Sequence, residues 1–370
     1  MCETARMPRK KRVPGRARHG VSRAGRSVSL KELAAHLGLS PTTLSLVLNQ
    51  SPAAGSIPKE TKDRIFQAAK GFNYRPNFVA RSLRSQRSYT LGVLVPELGE
   101  GYSPMVLSGV EHYLFQEGYF YFVASHRHKP ELLEKYPQML LDRAIEGLIA
   151  IDTPVLHPLS RPVVAVSRHD EVEGVTNVVL DHEQAALLTL DYLMELGHKR
   201  IAFIKGQVFS SDTEVRWASI REAARRHGLT IRPALVTQLE GDSPSPEPGY
   251  VATQKLLSAQ EPFTALFAFN DISAIGAIRA LRGAGYRVPE DVSVVGFDDV
   301  DSAAFHNPAL TTVRQPLREM GRLAAETLLR RIANGPDASY PKFLTVEPEL
   351  VIRQSTAKAP ARSEGKRHVR

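Results

Sequence analysis

The sequence predicts a small all-α head joined by a hinge to a larger α/β core of two similar lobes. Three observations carry this. Residues 28–73 repeat apolar side chains at helical spacing between cap and stop signals. From residue 90 to about residue 356, strand-like apolar runs alternate with amphipathic helices, the rhythm of a mostly parallel sheet with helices on both faces. That stretch exceeds one compact doubly wound unit and divides into two. Charge divides the chain in the same way. The overall net charge of +9 splits into +8 for residues 1–27, +6 for 28–90, +4 for 357–370 and −9 for the remainder. An acidic middle with cationic ends predicts a polyanion met by the N-terminal part alone.

The elements follow in order. Residues 1–27 hold Pro, Gly, Arg, Lys and Ser with little to bury, and predict a disordered basic arm; an extension ahead of a start at Met7 is the other reading. Ser29-x-x-Glu32 is a capping box, in which each side chain satisfies a free backbone N–H of the helix start. Leu30, Leu33, Ala34 and Leu37 recur at helical spacing, and Gly38 stops the helix. Ser40 caps a second helix and Pro41 fills its first turn, where a missing N–H costs nothing. Leu44, Val47 and Leu48 form its buried stripe. A third helix is predicted over Lys59 to Gly71, with Ile65, Ala68, Ala69 and Phe72 inward. Two helices joined by a short turn, with a third packed on both, is the helix-turn-helix pattern. Residues 74–89 are a hinge, 90–356 the two-lobed core, and 357–370 a solvated basic tail. Within the core, strands are expected at Thr90–Pro96, Tyr119–Ser125, Gly147–Asp152, Pro162–Ser167, Arg200–Gly206, Ala265–Asn270 and Ser293–Asp298. Helices are expected at Ser103–Gln116, Glu131–Arg143, His182–Leu196, Asp212–His227, Ile272–Gly283 and Leu317–Ala333.

Composition excludes several classes. Cys2 is the single cysteine, so neither an intrachain disulfide framework nor a cysteine zinc cluster can form. No apolar run approaches the ~20 residues of a membrane span, and no signal-peptide core follows the basic start. A cytoplasmic protein is expected, associated with the nucleoid when bound to DNA.

The start of a second helix of this kind enters the DNA major groove. With Leu44, Val47 and Leu48 inward, Pro41, Thr42, Thr43, Ser45, Leu46 and Asn49 point outward. Thr42 and Leu46 lie one turn apart and face base edges, Leu46 through apolar contact with a thymine methyl. Thr43, Ser45 and Asn49 suit phosphates, which fix register without reading sequence. In the hinge, Leu83 is placed to wedge between base pairs, with Arg81, Arg84 and Arg87 near phosphates. A flexible basic hinge is the alternative there.

These residues resemble a known family. Val28-Ser-Leu-Lys-Glu-Leu-Ala-Ala-His-Leu-Gly-Leu-Ser-Pro-Thr-Thr-Leu-Ser-Leu-Val-Leu-Asn49, Tyr74-Arg-Pro-Asn77 and Ala80-Arg-Ser-Leu-Arg84 are similar to the LacI/GalR transcriptional regulators. So are Leu196-Gly-His-Lys-Arg-Ile-Ala-Phe203, Phe269-Asn-Asp271, Val288 to Asp299 and Pro308 to Gln315. The resemblance covers about residues 28–356. It implies a helix-turn-helix head on a periplasmic-binding-protein-like core, a homodimer on a pseudo-palindromic double-stranded operator, and a small effector between the lobes. It implies DNA contacts from Tyr74, Asn77, Ala80, Leu83 and Arg84. It also implies effector contacts from Tyr102, Ser167, Arg216, Asn270 and Asp298. The sequence departs from the family at Leu46, where Arg or His is frequent, at Pro58 in place of a Ser-type cap, and at Ser167, where many relatives carry Asp.

Carboxylate, amide and guanidinium at strand ends suit a hydroxylated ligand, because together they accept from and donate to hydroxyls. A carbohydrate or related polyhydroxylated metabolite is expected. A turn-and-cap role is the competing reading for Asp298 and Asp299. His126-Arg127-His128 is read as a solvated loop and Trp217 as packing. No Walker loop, His-Glu-x-x-His motif or nucleophile elbow is present. The expectation is a non-enzymatic repressor with no catalytic residue, no metal and no cofactor. A solute-binding protein without DNA function is the rival.

Overall fold

The computed structural model describes residues 28–49, 51–74, 87–335 and 339–361. The chain separates into two compact units, one ending at Gln86 and one beginning at Arg87.

The first unit holds α1 (Leu30–Leu37), α2 (Pro41–Leu48) and α3 (Lys59–Gly71). The capping box closes as expected: Glu32 N donates to Ser29 Oγ at 3.2 Å and Ser29 N to Glu32 Oε2 at 2.7 Å. Gly38 ends α1 at φ 67°, the left-handed region that suits a residue without Cβ. Ser40 Oγ accepts from Thr43 N at 3.0 Å at the head of α2. Leu33, Ala34, Leu44, Val47, Ala54 and Ile65 make a small core. Ala54 belongs to a 3₁₀ turn, Pro52–Ser56, that folds part of the α2–α3 connection back onto the bundle. Pro58 precedes α3 without any side-chain cap. Phe72 differs from the expected inward placement: it is 40% exposed and meets the His36 ring edge-on.

The second unit holds two six-stranded sheets. Its elements are β1 (Thr90–Val95), α4 (Tyr102–Gln116), β2 (Phe120–Ser125), α5 (Pro130–Leu141), β3 (Leu148–Ile151), β4 (Val163–Val166) and β5 (Val175–Leu180). There follow α6 (His182–Glu195), β6 (Ile201–Lys205), α7 (Asp212–Arg226), β7 (Val236–Gln238), α8 (Glu247–Ser258), β8 (Ala265–Phe267) and α9 (Asp271–Gly283). The unit closes with β9 (Ser293–Asp298), α10 (Asp301–Phe305), β10 (Thr311–Arg314), α11 (Leu317–Asn334), β11 (Phe343–Val346) and β12 (Glu349–Val351). The sheet orders are β11-β5-β4-β3-β1-β2 and β12-β10-β9-β8-β6-β7. All pairings are parallel except β10 with β12. The two orders correspond strand for strand, so each lobe has a switch point where the chain turns from one side of its first strand to the other.

Buried on both faces, the central strands read as continuous apolar runs, such as Leu148–Ile151 and Val163–Val166. Apolar clusters line both faces of each sheet. The chain changes lobe after β5, after β10 and after β11, so α11 packs on α4 in the first lobe. That approach is close enough to demand small residues. A Cβ on Gly321 would stand 2.0 Å from the Val106 carbonyl oxygen, and one on Gly109 1.9 Å from that of Arg318.

Two readings are corrected. Residues 357–361 do not begin a free tail: Ala359 N bonds Leu196 O at 2.8 Å, and the Ala357 carbonyl meets His198 Nε2 at 3.0 Å. Five strands (β5, β7, β10, β11 and β12) and the helices α8 and α10 also had no counterpart in the sequence reading. They are short, or carry polar residues that blur the periodicity.

Candidate functional site

In the head, α2 presents the expected outward face. Pro41, Thr42 and Asn49 are exposed, Thr43, Ser45 and Leu46 half-buried. Leu46 packs partly on the head core, so the face it offers is only part of its side chain. Thr43 Oγ1 lies 2.9 Å from Ser40 Oγ, and Asn49 Nδ2 donates to the Ser45 carbonyl at 2.8 Å. These bonds pin the polar side chains locally. Tyr74 follows α3, is half-buried against the same core, and its N–H bonds the Ala69 carbonyl. Asn77, Ala80, Leu83 and Arg84 lie outside the described residues.

The second candidate site is a cavity of about 90 Å³ between the lobes, at the switch points of both sheets. That is where strand order diverges and leaves a crevice at the carboxyl ends. Tyr102, His128 and Asp152 reach it from the loops after β1, β2 and β3; Phe209, Asp212, Asn270 and Asp298 reach it from those after β6, β8 and β9.

Tyr102, Arg216, Asn270 and Asp298 line the cavity as the sequence reading placed them. Ser167 does not. It is 2% exposed, and its hydroxyl lies 2.5 Å from Tyr102 Oη. A hydroxyl is too short to reach past that ring, so Ser167 fixes the tyrosine instead of facing the cavity. The position it leaves is filled by Asp152, whose Oδ1 accepts from Ser211 N at 3.1 Å and Ser211 Oγ at 2.7 Å. Asp298 and Asp299 also separate. Asp299 is taken up by Arg314 at 2.7 Å and Arg353 at 2.6 Å, a structural role. Asp298 is 5% exposed and accepts from Gln315 Nε2 at 2.7 Å. It adopts φ 107°, a strained conformation for a residue with a Cβ.

Arg216 is the best-held group. Its Nη2 donates to Asp212 Oδ2 at 3.0 Å and its Nη1 to the Phe269 carbonyl at 2.6 Å. The guanidinium lies over the rings of Phe297 at 3.6 Å and Phe269 at 4.4 Å. Asn270 caps α9 through Oδ1, which accepts from Ser273 N at 2.9 Å.

Burial pushes the Asp298 carboxyl up to about 7, partly opposed by Arg216 and Gln315. Burial, then Asp212, raises Asp152 to about 6. For Asp212 burial acts in the same direction, but His182, His169 and Arg216 overcome it and hold the carboxyl well below the usual range. Burial keeps His182 below its ordinary value.

Sequence reasoning missed Asp152, Asp212, His128 and Phe209. In the His126-Arg127-His128 stretch only Arg127 is exposed. His126 is buried, lies 3.0 Å from Thr153 Oγ1, and is lowered to about 4 by burial. His128 stacks on Phe209 of the other lobe with ring centroids 3.7 Å apart. The only available signal was position, since each follows a strand end. Trp217 packs edge-on against Phe203 and does not line the cavity. Among the described residues, His169, His182 and Asp212 bring three ligand atoms within 4.8 Å of one another. The Arg216 guanidinium on the same carboxylate opposes a second cation there, and both imidazoles already bond Asp212 Oδ1.

Residues 29–77 match the model of bacterial regulatory proteins of the lacI family, and residues 190–356 that of the periplasmic binding protein-like domain. The chain is 33% identical over 338 residues to the HTH-type transcriptional repressor PurR of Haemophilus influenzae, covering 88% of this chain and 98% of the relative. It is 31% identical over 337 residues to PurR of Aliivibrio fischeri, with 88% and 98% covered. The lac repressor dimer bound to operator and the anti-inducer ONPF superposes with TM-score 0.77 at 25% identity, covering 90% of this chain and all of that one. The transcriptional regulator CelR in complex with cellobiose gives 0.66 at 29%, with 89% and 99% covered. The chain belongs to the lacI family of bacterial regulatory proteins and is a DNA-binding transcriptional regulator. Among the described residues no helix is long and apolar enough to cross a membrane.

Proposed function

We propose that this lacI-family member is a homodimeric repressor that binds a pseudo-palindromic operator through its helical head and is controlled by a small polyhydroxylated effector held between its lobes. The observation that carries the effector half is the convergence of Tyr102, Asp152, Arg216, Asn270 and Asp298 on one inter-lobe cavity. The operator half rests on the capped, outward-facing α2 and on the cationic N-terminal third of the chain. Thr42 and Leu46 read base edges, with Pro41 beside them; Thr43, Ser45 and Asn49 hold phosphates. Tyr74, Asn77, Ala80 and Arg84 complete the DNA surface, and Leu83 wedges the minor groove.

Control follows from the contacts across the cleft. Ser211 bonds Asp152 and the Ser167 carbonyl, and His169 bonds Asp212 at 2.7 Å, each pair joining the two lobes. A ligand that strengthens or displaces these bonds changes the lobe angle. It shifts operator affinity only by its differential affinity for the two arrangements.

The test is selection of bound duplexes from a random pool, repeated with a panel of sugars and nucleosides. A recovered two-fold symmetric site whose enrichment changes with one ligand is the expected result. No preferred sequence under any condition would overturn the reading.

A further inference from the structure

The charge inside the cleft is unbalanced, and the imbalance defines a ligand class. Six carboxylates line the cavity, Asp152, Asp212 and Asp298 with the half-buried Glu97 and the exposed Glu100 and Asp242, against one guanidinium, that of Arg216. Arg216 is 4% exposed and already committed: one terminal nitrogen is on Asp212, the other on the Phe269 carbonyl, and its face is covered by Phe297. Each terminal nitrogen keeps one N–H, so what Arg216 offers a ligand is single donors beside the Asp212 carboxylate, not a free two-pronged fork for a carboxylate or phosphate. Asp212 is saturated in turn, since His169 and His182 share its Oδ1 and Arg216 holds its Oδ2.

Asp152 and Asp298 are different. Ser211 bonds only Oδ1 of Asp152, and Gln315 only Oδ1 of Asp298. Among the described residues the second oxygen of each receives no donor. A half-buried carboxylate, Asp152, and a buried one, Asp298, each with acceptor capacity to spare and Arg216 as their one guanidinium neighbour in the cavity, are costly without a further partner of opposite charge. The Tyr102 ring lining the same cavity adds a π face, which favours a cation over an anion, and one face of Phe269 already carries the Arg216 guanidinium. Hydroxyls alone would satisfy the hydrogen bonds and leave the carboxyls to be neutralised by proton uptake, whereas an ammonium group pairs their charge directly.

Building on the reading of this cleft as the effector site, we propose that the effector carries a protonated amine on a hydroxylated scaffold, as an amino sugar does, and that Asp152 and Asp298 select for its charge. A uronic acid or sugar phosphate is rejected at the same positions.

The experiment is calorimetric titration of the full chain with ligands sharing one ring and differing in charge: glucosamine, glucose and glucuronate, and the galacto and manno counterparts. At least one amine is expected to bind ten-fold or more tightly than its parent sugar, with no measurable uronate binding. Asp298→Asn and Asp152→Asn should each shrink that ratio, while thermal melting shows both variants folded. Absence of binding by every amine, or tighter binding of a parent sugar or uronate, overturns the proposal. These failures are distinguishable from failure of the effector reading. A neutral sugar that binds and alters operator affinity leaves the cleft an effector site and removes only the charge selection. An operator response to ligand that survives Asp298→Ala and Arg216→Ala unchanged removes the site itself.

Discussion

The head and the inter-lobe cleft prepare their surfaces by opposite means. In the head, Pro41 and Thr42 stand in solvent on a helix fixed by its own cap and a small apolar core. In the cleft, Arg216, Asp212 and Asp298 are desolvated and, the Arg216–Asp212 pair within α7 apart, held by residues remote in sequence. A DNA-reading face can stay in water because its partner brings dense charge to it. A small ligand brings few contacts, so its site must be ordered and dried beforehand. The difference implies that the two regions can be damaged separately, and each prediction below uses that.

The largest effect is expected at Arg216→Ala. It leaves Asp212 buried without its guanidinium, a loss of about 3–5 kcal/mol for breaking a buried pair. Two-transition melting of the full chain should show the core destabilised, with ligand response gone and sequence-specific duplex binding by the head retained. Loss of both together would show that the regions are not independent. Leu44→Ala is the mirror experiment. Truncating a fully buried leucine of a small core costs about 2–5 kcal/mol. The head should melt early and operator binding should fail, while ligand titration of the core is unchanged.

A pH dependence sharpens the comparison, because Asp152 and Asp298 belong to the core alone. Their carboxyls sit at about 6 and about 7 in the folded protein against an ordinary value of 3.8. Between pH ~4 and ~7 the folded core therefore holds protons that the unfolded chain has released. The contribution of these two carboxyls to core stability therefore falls as pH rises through that window, opposed below pH ~6.5 by the lowered His126 and His182, whose protons the unfolded chain holds there. Thermal melting from pH 5 to 8 should show stability declining more steeply, or rising less, in the parent chain than in Asp298→Asn. A slope unchanged in Asp298→Asn would assign the effect elsewhere.

The smallest effect is expected at Ser40→Ala. It removes the bond from Thr43 N and costs about 1 kcal/mol, within the usual range for a lost N-cap. The head transition should shift by a few degrees and the core transition should stay in place.

Local rules reached further in the head than in the cleft. Ser29, Gly38 and Ser40 announced helix ends because caps act over three or four residues. Phe72 was misplaced because helical spacing does not say how far an inner face extends at a terminus. In the core, Tyr102, Arg216, Asn270 and Asp298 were found through a family pattern. Spacing supplied only their positions at strand ends.

What the sequence determined by itself is the division into head and core, the parallel βα rhythm, the caps and the separation of charge, all of which depend on neighbours along the chain. The tertiary structure alone decided which polar groups remain open to a ligand. Asp299 is consumed by Arg314 and Arg353 while its neighbour Asp298 lines the cavity. Ser167 turns to Tyr102 while Asp152 takes the wall. A hydrogen bond spends a donor wherever the fold places its acceptor, and Ser211 reaches Asp152 across 59 positions. No periodicity encodes that distance.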